Sequence, residues 1–355
     1  VSLRVAVVYT VEEVGTRTDN HHGAEQLSKT NAALVGAISQ LGHEAHLVPG
    51  DTELLSRLKR LAPDVVFNNC TGIHDKSSQP QVAGMLELSK IPFTGSGQAA
   101  HVLALYKPLT KIVLLHAGIP TPGFAVAAEA DAALPASLCY PVIVKPEHEG
   151  SSIGISQKSV VRSEREAREV IRWVTETFKQ SALVEEFVVG REFTVGVLGR
   201  NELRILPPIE ILFEDKQGFY SHGVKSADAV TTKCPADIDA ALLLRIERVV
   251  LGAFRALGCR DYARIDVRVS GDGTPYVIDV NTLPGLEPGY SDFPKAALAA
   301  GISYVDLVGR LLGYAGEGGM ASRDGGARHR PVTGVSKEEF VWTCMSADSL
   351  SLTDA

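Results

Sequence analysis

In Tyr262-Ala-Arg-Ile-Asp-Val-Arg-Val-Ser270 a period of two sets Tyr262, Arg264, Asp266 and Arg268 on one face of a strand. Ala263, Ile265, Val267 and Val269 take the other face. After a turn at Ser270-Gly-Asp-Gly273, the return strand Thr274-Pro-Tyr-Val-Ile-Asp-Val-Asn281 puts Val277, Asp279 and Asn281 together. Pairing Val269 with Thr274 predicts Asp266 opposite Val277 and diagonal to Asp279. Two carboxylates and an amide oxygen, with no histidine or thiolate among them, form a hard-oxygen set suited to Mg²⁺, which completes its octahedron with waters and phosphates. A solvated hairpin face balanced by its arginines accounts for these residues equally well. Asn281-Thr-Leu-Pro-Gly285 favours the metal, because a Pro-Gly turn after Asp-x-Asn brings backbone amides close to the last side chains, where an anionic ligand sits.

Lys145-Pro-Glu-His-Glu-Gly-Ser-Ser-Ile-Gly154 is a second candidate. A lysine at a strand end beside a Gly/Ser turn supplies a cation, the hydroxyls of Ser151 and Ser152, and free N–H groups for phosphate oxygens. An ordinary hairpin turn has the same composition. The segment is no Walker A loop, since it lacks the G-x-x-x-x-G-K-[ST] spacing and returns to a strand. Gly95-Ser-Gly-Gln-Ala-Ala100 matches G-x-G-x-x-A, yet no long strand precedes it and no Asp or Glu follows at the ribose-binding distance, so a dinucleotide site is not expected. His43 and His46 lack a third ligand of recognisable spacing and read as surface histidines.

The elements that position these groups can be read from hydrophobic period and punctuation. Leu3–Tyr9, His46–Val48 and Asp64–Phe67 read as strands, and Ala24–Leu41 and Gln81–Ser89 as helices, which predicts a small parallel sheet with helices on its faces over residues 1–97. Residues 98–184 read as a central α+β unit. Its helical stretch runs from Gln98 to Gly118 and carries Lys107 and Lys111; strands follow at Tyr140–Lys145 and Ile153–Ser156, then a helix opened by the capping box Ser163-x-x-Glu166. A new strand starts at Leu183–Val188, and residues 185–315 form the last unit, with strands near Phe193–Leu198 and Leu203–Ile211, a helix from Ile238 to Leu257 and the hairpin. At Gly316-Glu-Gly-Gly319 the composition changes, and residues 316–355 read as a mobile tail in which Phe340, Val341 and Trp342 are the only docking candidates.

With 355 residues, 45% hydrophobic and 22% charged, the chain is neither disordered, fibrous nor a small disulfide scaffold. A formal charge of −7 offers no basic field for a nucleic acid, so none is expected as partner. Five scattered cysteines without a C-x-x-C pair fit reduced thiols and a cytoplasmic location. No signal peptide or apolar run of spanning length is read, and no membrane partner is expected.

The ordered strings Gly84-Met-Leu-Glu-Leu88 with Ile91-Pro-Phe-Thr-Gly-Ser-Gly97, Lys145-Pro-x-x-Glu-Gly-Ser-Ser-x-Gly154, Glu192-Phe-Thr-Val195, Arg264-Ile-Asp-Val267 and Asn281-Thr-x-Pro-Gly285 resemble the ATP-grasp superfamily, in its D-alanine–D-alanine ligase branch. The resemblance covers roughly residues 60 to 315. It implies an ATP-grasp fold of α/β and α+β class: an N-terminal α/β domain and two α+β domains that clamp ATP. By matched position, Lys107, Lys145 and Lys225 would meet nucleotide phosphates under a loop holding Ser151 and Ser152. Glu185, Glu186, Phe187 and Val188 would line the adenine site, with Glu192 on the ribose. Asp266, Asp279 and Asn281 would hold one or two Mg²⁺ ions, with Mn²⁺ able to substitute. Arg264 would stabilise an oxyanion in a catalytic set with Ser152 and Lys225, and Gly285 and Ser291 would lie by the acceptor's carboxylate. A homodimer acting on amino-acid-like carboxylate and amine substrates is implied as well.

The sequence departs from the family at the substrate end. The N-terminal Gly-Gly-x-Ser-x-Glu-x-x-x-Ser signature is missing, and Thr10-Val-Glu-Glu-Val-Gly15 stands nearby without matching it. Asn69-Cys-Thr-Gly-Ile-His-Asp75 replaces the His-Gly-x-x-Gly-Glu-Asp-Gly loop, Ser226 replaces a tyrosine and Asp279 a glutamate. The leading expectation is therefore an acylphosphate-forming ligase of this type with a different substrate pair, in specialised metabolism. The alternatives are the cell-wall ligase itself and a nucleotide-binding regulatory protein without ligase activity; retention of Arg264 speaks against the last.

Overall fold

The computed structural model describes residues 1–11, 21–73, 78–149, 154–212 and 231–323. The first elements alternate: β1 (Arg4–Tyr9), α1 (His21–Gln40), β2 (Glu44–Pro49), α2 (Leu54–Leu61), β3 (Val65–Asn69) and α3 (Gln79–Ser89). The strands are parallel in the order β2-β1-β3, with Val5 beside Ala45 and Val65. Alternation along β1 sends Val5 and Val7 into one core and Ala6 and Val8 into another, so both faces are covered and the run is wholly apolar.

The helix expected from Gln98 to Gly118 is two helices, α4 (Gln98–Leu105) and α5 (Lys107–His116). Pro108 lacks the N–H that would reach Ala104, and its ring clashes with that carbonyl, so the chain breaks at Tyr106 (φ −84°, ψ 93°). Thr110 Oγ1 donates to the freed Leu103 carbonyl at 2.5 Å. The break starts α5 at Lys107 and turns that lysine toward the cleft described below.

A second sheet follows, antiparallel in the order β4-β7-β5-β6, from β4 (Phe124–Ala127), β5 (Val142–Pro146), β6 (Val160–Val161) and β7 (Ala182–Glu186). The helix α6 (Glu164–Phe178) packs Ala167, Ile171 and Val174 on it. Its N-cap Ser163 accepts from Glu166 N, while the Glu166 carboxylate reaches one residue further back than a capping box requires, to Arg162 N. Of the strand expected at Ile153–Ser156, Ile153 lies outside the described residues; Gly154 turns at φ 77°, Ser156 caps a short 3₁₀ turn, and a strand is formed only at Val160. A division between residues 184 and 185 cuts through β7, because Glu185 and Glu186 pair with β4 and β5.

The largest sheet runs β11-β10-β8-β12-β13, with β9 also on β8. Its strands are β8 (Gly190–Gly199), β9 (Arg204–Ile205), β10 (Ile209–Leu212), β11 (Thr231–Lys233), β12 (Asp261–Ser270) and β13 (Pro275–Asn281). The helix α7 (Ala240–Ala256), capped by Asp239, covers the Ala263, Ile265, Val267 and Val269 face, leaving the polar face open. Two further helices, α8 (Asp292–Ala299) and α9 (Tyr304–Arg323), close the chain. Leu307, Val308, Leu311 and Leu312 share a core with Leu34, Ile38 and Phe67, so the last helix locks onto the first sheet. That anchored helix propagates through Gly316–Gly319 to Arg323, past the expected start of a tail. The docking candidates Phe340, Val341 and Trp342 lie outside the described residues. Among the described residues no single helix is long and apolar enough to cross a membrane.

Candidate active site

The hairpin brings its carboxylates closer than plain alternation predicts. Val269 pairs with Pro275 and Val267 with Val277, one residue on from the expected register. A bulge at Ile278 then sets Asp266 directly opposite Asp279, and Arg264 opposite Asn281. Val277 is therefore in the core beneath α7 and does not share a face with Asp279. Strict alternation would have driven Asp279 into that apolar layer; the extra residue lets valine and aspartate each reach the medium it needs.

Arg264 Nε and Nη2 hold both oxygens of Asp266, at 3.0 and 2.9 Å. Thr194 Oγ1, directly across on β8, donates to Asp266 Oδ1 at 2.6 Å. Burial opposes the Arg264 charge, but the Asp266 carboxylate outweighs it and raises the guanidinium's pKa above its ordinary value. Asn281 Oδ1 accepts from Leu283 N at 3.2 Å, which starts the turn toward α8. There Ser291 Oγ accepts from Glu287 N, and a Cβ on residue 285 would sit 2.8 Å from that hydroxyl, so Gly285 and Ser291 are neighbours as the sequence implies.

Three lysines approach from the other side. Lys107 Nζ lies 3.4 Å from Asp279 Oδ1 and donates to the Glu149 carbonyl at 2.8 Å. Lys111 Nζ and Lys145 Nζ flank Glu185, at 2.5 and 3.3 Å from its two oxygens. Burial drives the Lys111 pKa down to about 8, only partly offset by Glu185, with Lys145 adding like-charge repulsion. Burial also works against the Glu185 carboxylate, yet the two lysines hold its pKa below the usual range. For Asp279 burial is likewise outweighed by Lys107, Lys145 and Arg264. Three buried ammonium groups facing two carboxylates leave an excess of positive charge that an anionic ligand would relieve.

The same cleft is lined by Glu185, Glu186, Phe187, Val188 and Glu192, with Ile143, Ile211 and Ile278 giving it apolar walls. Phe187 N donates to the Pro141 carbonyl. Arg268 pairs with Glu192 at 2.7 Å, donates to the Val188 carbonyl and lies over the Phe187 ring. Burial pushes the Glu192 carboxyl up to about 7 against the pull of Arg268. The structure thus gathers Lys107, Lys145, Glu185, Glu186, Phe187, Val188, Glu192, Arg264, Asp266, Asp279 and Asn281 around one space, with Asp292 at its edge. Ser151, Ser152 and Lys225 lie outside the described residues.

Arg268, Thr194 and Gln79 in the cleft, and Lys111 buried beside it, are among the residues that carry no role in the sequence reading. Lys111 was legible as a second lysine one helical turn after Lys107, and Arg268 as the fourth polar residue of its strand face. Thr194 stands inside the Glu192-Phe-Thr-Val195 string, whereas nothing local distinguishes Gln79.

Two sheets closing on a lysine-lined cleft, one of them carrying the Asp266, Asp279 and Asn281 face, define an ATP-grasp enzyme. The model described as "D-ala D-ala ligase C-terminus" matches residues 113–313. D-alanine–D-alanine ligase of Moorella thermoacetica is 36% identical over 301 residues, spanning 81% of this chain and 93% of that protein. The Bordetella avium D-alanine–D-alanine ligase is 36% identical over 289 residues, 80% and 88% of the two chains. The uncharacterized protein y4sG of Sinorhizobium fredii is 34% identical over 294 residues, 80% and 86%. Among solved structures, D-alanine–D-alanine ligase from Bacillus anthracis superposes with a TM-score of 0.72 at 23% identity, over 90% of this chain and all of that one. Its complex with ATP gives 0.71 at 24% identity, with the same coverage. The chain belongs to the D-alanine–D-alanine ligase family, ATP-dependent ligases that close a peptide bond.

Proposed function

We propose that this chain joins a carboxylate to an amine through an acylphosphate, and that its substrates are not two molecules of D-alanine. The observation that carries the ligase chemistry is the placement of Asp266 opposite Asp279, beside Asn281, with Lys107 and Lys145 converging on them. Asp266, Asp279 and Asn281 present hard oxygen donors from two facing strands, so these residues fit Mg²⁺. Bound there, the metal would offset charge on phosphate oxygens. Lys107 and Lys145 bind and orient the phosphates, and the apolar wall with Glu186, Phe187 and Val188 takes the adenine. Attack of the substrate carboxylate on the γ-phosphorus releases ADP. The amine then attacks the acyl carbon, phosphate leaves and the amine proton is lost. Arg264, held rigid by Asp266, faces the oxyanion of that second step.

The substrate reading rests on the N-terminal unit, where the family's Gly-Gly-x-Ser-x-Glu-x-x-x-Ser signature is missing from the sequence. At the ends of β1 and β3, Thr10 and Thr71 pair through their hydroxyls at 3.0 Å, Asn69 donates to Asn31, and Cys70 donates to the Gly72 carbonyl. The family signature's glutamate for a substrate ammonium has no matching residue in Thr10-Val-Glu-Glu-Val-Gly15, of which residues 12–15 lie outside the described residues. Homology to enzymes named D-alanine–D-alanine ligase favours the second reading, that D-alanine is used after all. ADP release measured over a panel of amino acids and small carboxylates, with product masses, separates the two. D-Alanyl-D-alanine formed from millimolar D-alanine as fast as any other product refutes the altered-substrate reading; no substrate-dependent ADP release refutes the ligase reading.

A further inference from the structure

One buried polar cluster in the cleft wall takes no part in the chemistry above. Gln79 opens α3, His101 lies on α4, and Thr282 follows Asn281. Gln79 Nε2 and Thr282 Oγ1 each lie 2.7 Å from His101 Nδ1, and Gln79 Nε2 is 3.4 Å from Thr282 Oγ1. His101 is 1% exposed, and its Nε2 is buried with no hydrogen-bond partner among the described residues. Burial, reinforced by Arg260, depresses the imidazole to about 4, so it is neutral at pH 7. With Nδ1 as the ring's acceptor, its one lone pair is shared by the Thr282 hydroxyl and the Gln79 NH₂, and that NH₂ also faces Thr282 Oγ1, an arrangement that turns the NH₂ half of Gln79 toward His101. Gln79 and Thr282 both line the cleft beside Asn281 and Arg264, so Gln79 Oε1 is the polar atom left to meet a ligand.

We propose that Gln79 is a specificity-determining residue for the acyl substrate, its Oε1 accepting a hydrogen bond from an N–H or O–H group beside the reacting carboxylate, with His101 as the positioning residue. The inference rests on the ligase reading and names the chemistry that its substrate presents. A neutral carbonyl fully partners a hydroxyl or an acylated amine, but supplies no counter-charge for a free ammonium. Gln79 therefore favours acyl substrates whose α-substituent is an uncharged donor.

The test is steady-state ADP release by the full chain with ATP and Mg²⁺. Alanine, lactate and N-acetylalanine, in both enantiomers, serve as acyl substrates, and alanine as the amine. Gln79→Leu should raise the acyl-substrate KM at least tenfold while leaving the ATP KM and kcat within twofold. Gln79→Glu, nearly isosteric and so safe for folding, should shift the kcat/KM ratio of alanine over lactate at least tenfold toward alanine. His101→Asn keeps an acceptor near the Nδ1 position and should preserve the acyl-substrate KM, whereas His101→Leu should raise it as Gln79→Leu does. An unchanged KM in Gln79→Leu, an unchanged ratio in Gln79→Glu, or equal behaviour of the two His101 variants overturns the assignment while the ligase reading stands. Wild-type protein that releases no ADP with any pair refutes both together.

Discussion

Replacing His101 by asparagine should remove a pH-dependent loss of stability that the wild type suffers in mild acid. The imidazole is held at about 4 by burial and by Arg260, with only a small opposing pull from the Ser96 backbone, while an unfolded histidine titrates near 6.5. As pH falls below 6.5 the unfolded chain takes up the proton first. Stability from this group is thus intact above pH 6.5 and lost progressively down to about 4. Across the whole window the loss is about 3 kcal/mol, and between pH 7 and pH 5 about 2 kcal/mol. Urea unfolding of both proteins at these two pH values isolates the effect, because other acid-labile groups are shared. The wild type should lose about 2 kcal/mol more than His101→Asn on going to pH 5. Parallel losses would show that the imidazole protonates in place or that water reaches it, and the enforced orientation of Gln79 would fall with that result.

Asp279→Ala and Asn281→Ala should each abolish ligation without unfolding the chain; near-normal turnover of either at saturating Mg²⁺ would show that the hairpin face is not the metal site. Lys145→Ala should weaken ATP binding and slow phosphoryl transfer, and Lys145→Arg should not rescue it, because the planar fork does not replace a compact ammonium beside Glu185; unchanged ATP affinity and rate would refute the phosphate assignment. Glu185→Gln leaves Lys111 and Lys145 buried without their shared counter-charge and should cost about 3–5 kcal/mol in urea unfolding. Added ATP should then raise the melting temperature of that variant more than that of the wild type, an increment absent if the lysines do not face the nucleotide.

Periodicity made the chemical face of β12 legible, since Arg264, Asp266 and Arg268 alternate with residues that form the core under α7. Local punctuation located the Lys145 loop and the Pro-Gly turn after Asn281, and Pro108 was as readable a helix break as any, although the apolar run around it suggests one continuous helix. The opposition of Asp266 and Asp279 was not legible. It takes two one-residue steps, a turn that pairs Val269 with Pro275 and an extra residue at Ile278, and the second goes with the packing of Val277 in the core under α7. The grouping of Lys111 with Glu185 and of Gln79 with Thr282 joins residues 74 and 203 positions apart, contacts to which no local signal points.

The sequence by itself determined which side chains could do chemistry and which face of each element carried them, because period, charge and turn residues act over a few neighbouring positions. Only the tertiary structure decided which carboxylate stands opposite which, which lysine is spent on an internal ion pair, and which amide atom is left for a ligand. Those choices come from burial: a charge or polar atom removed from water must find its partner wherever the packed sheets bring one within about 3 Å, at whatever distance along the chain.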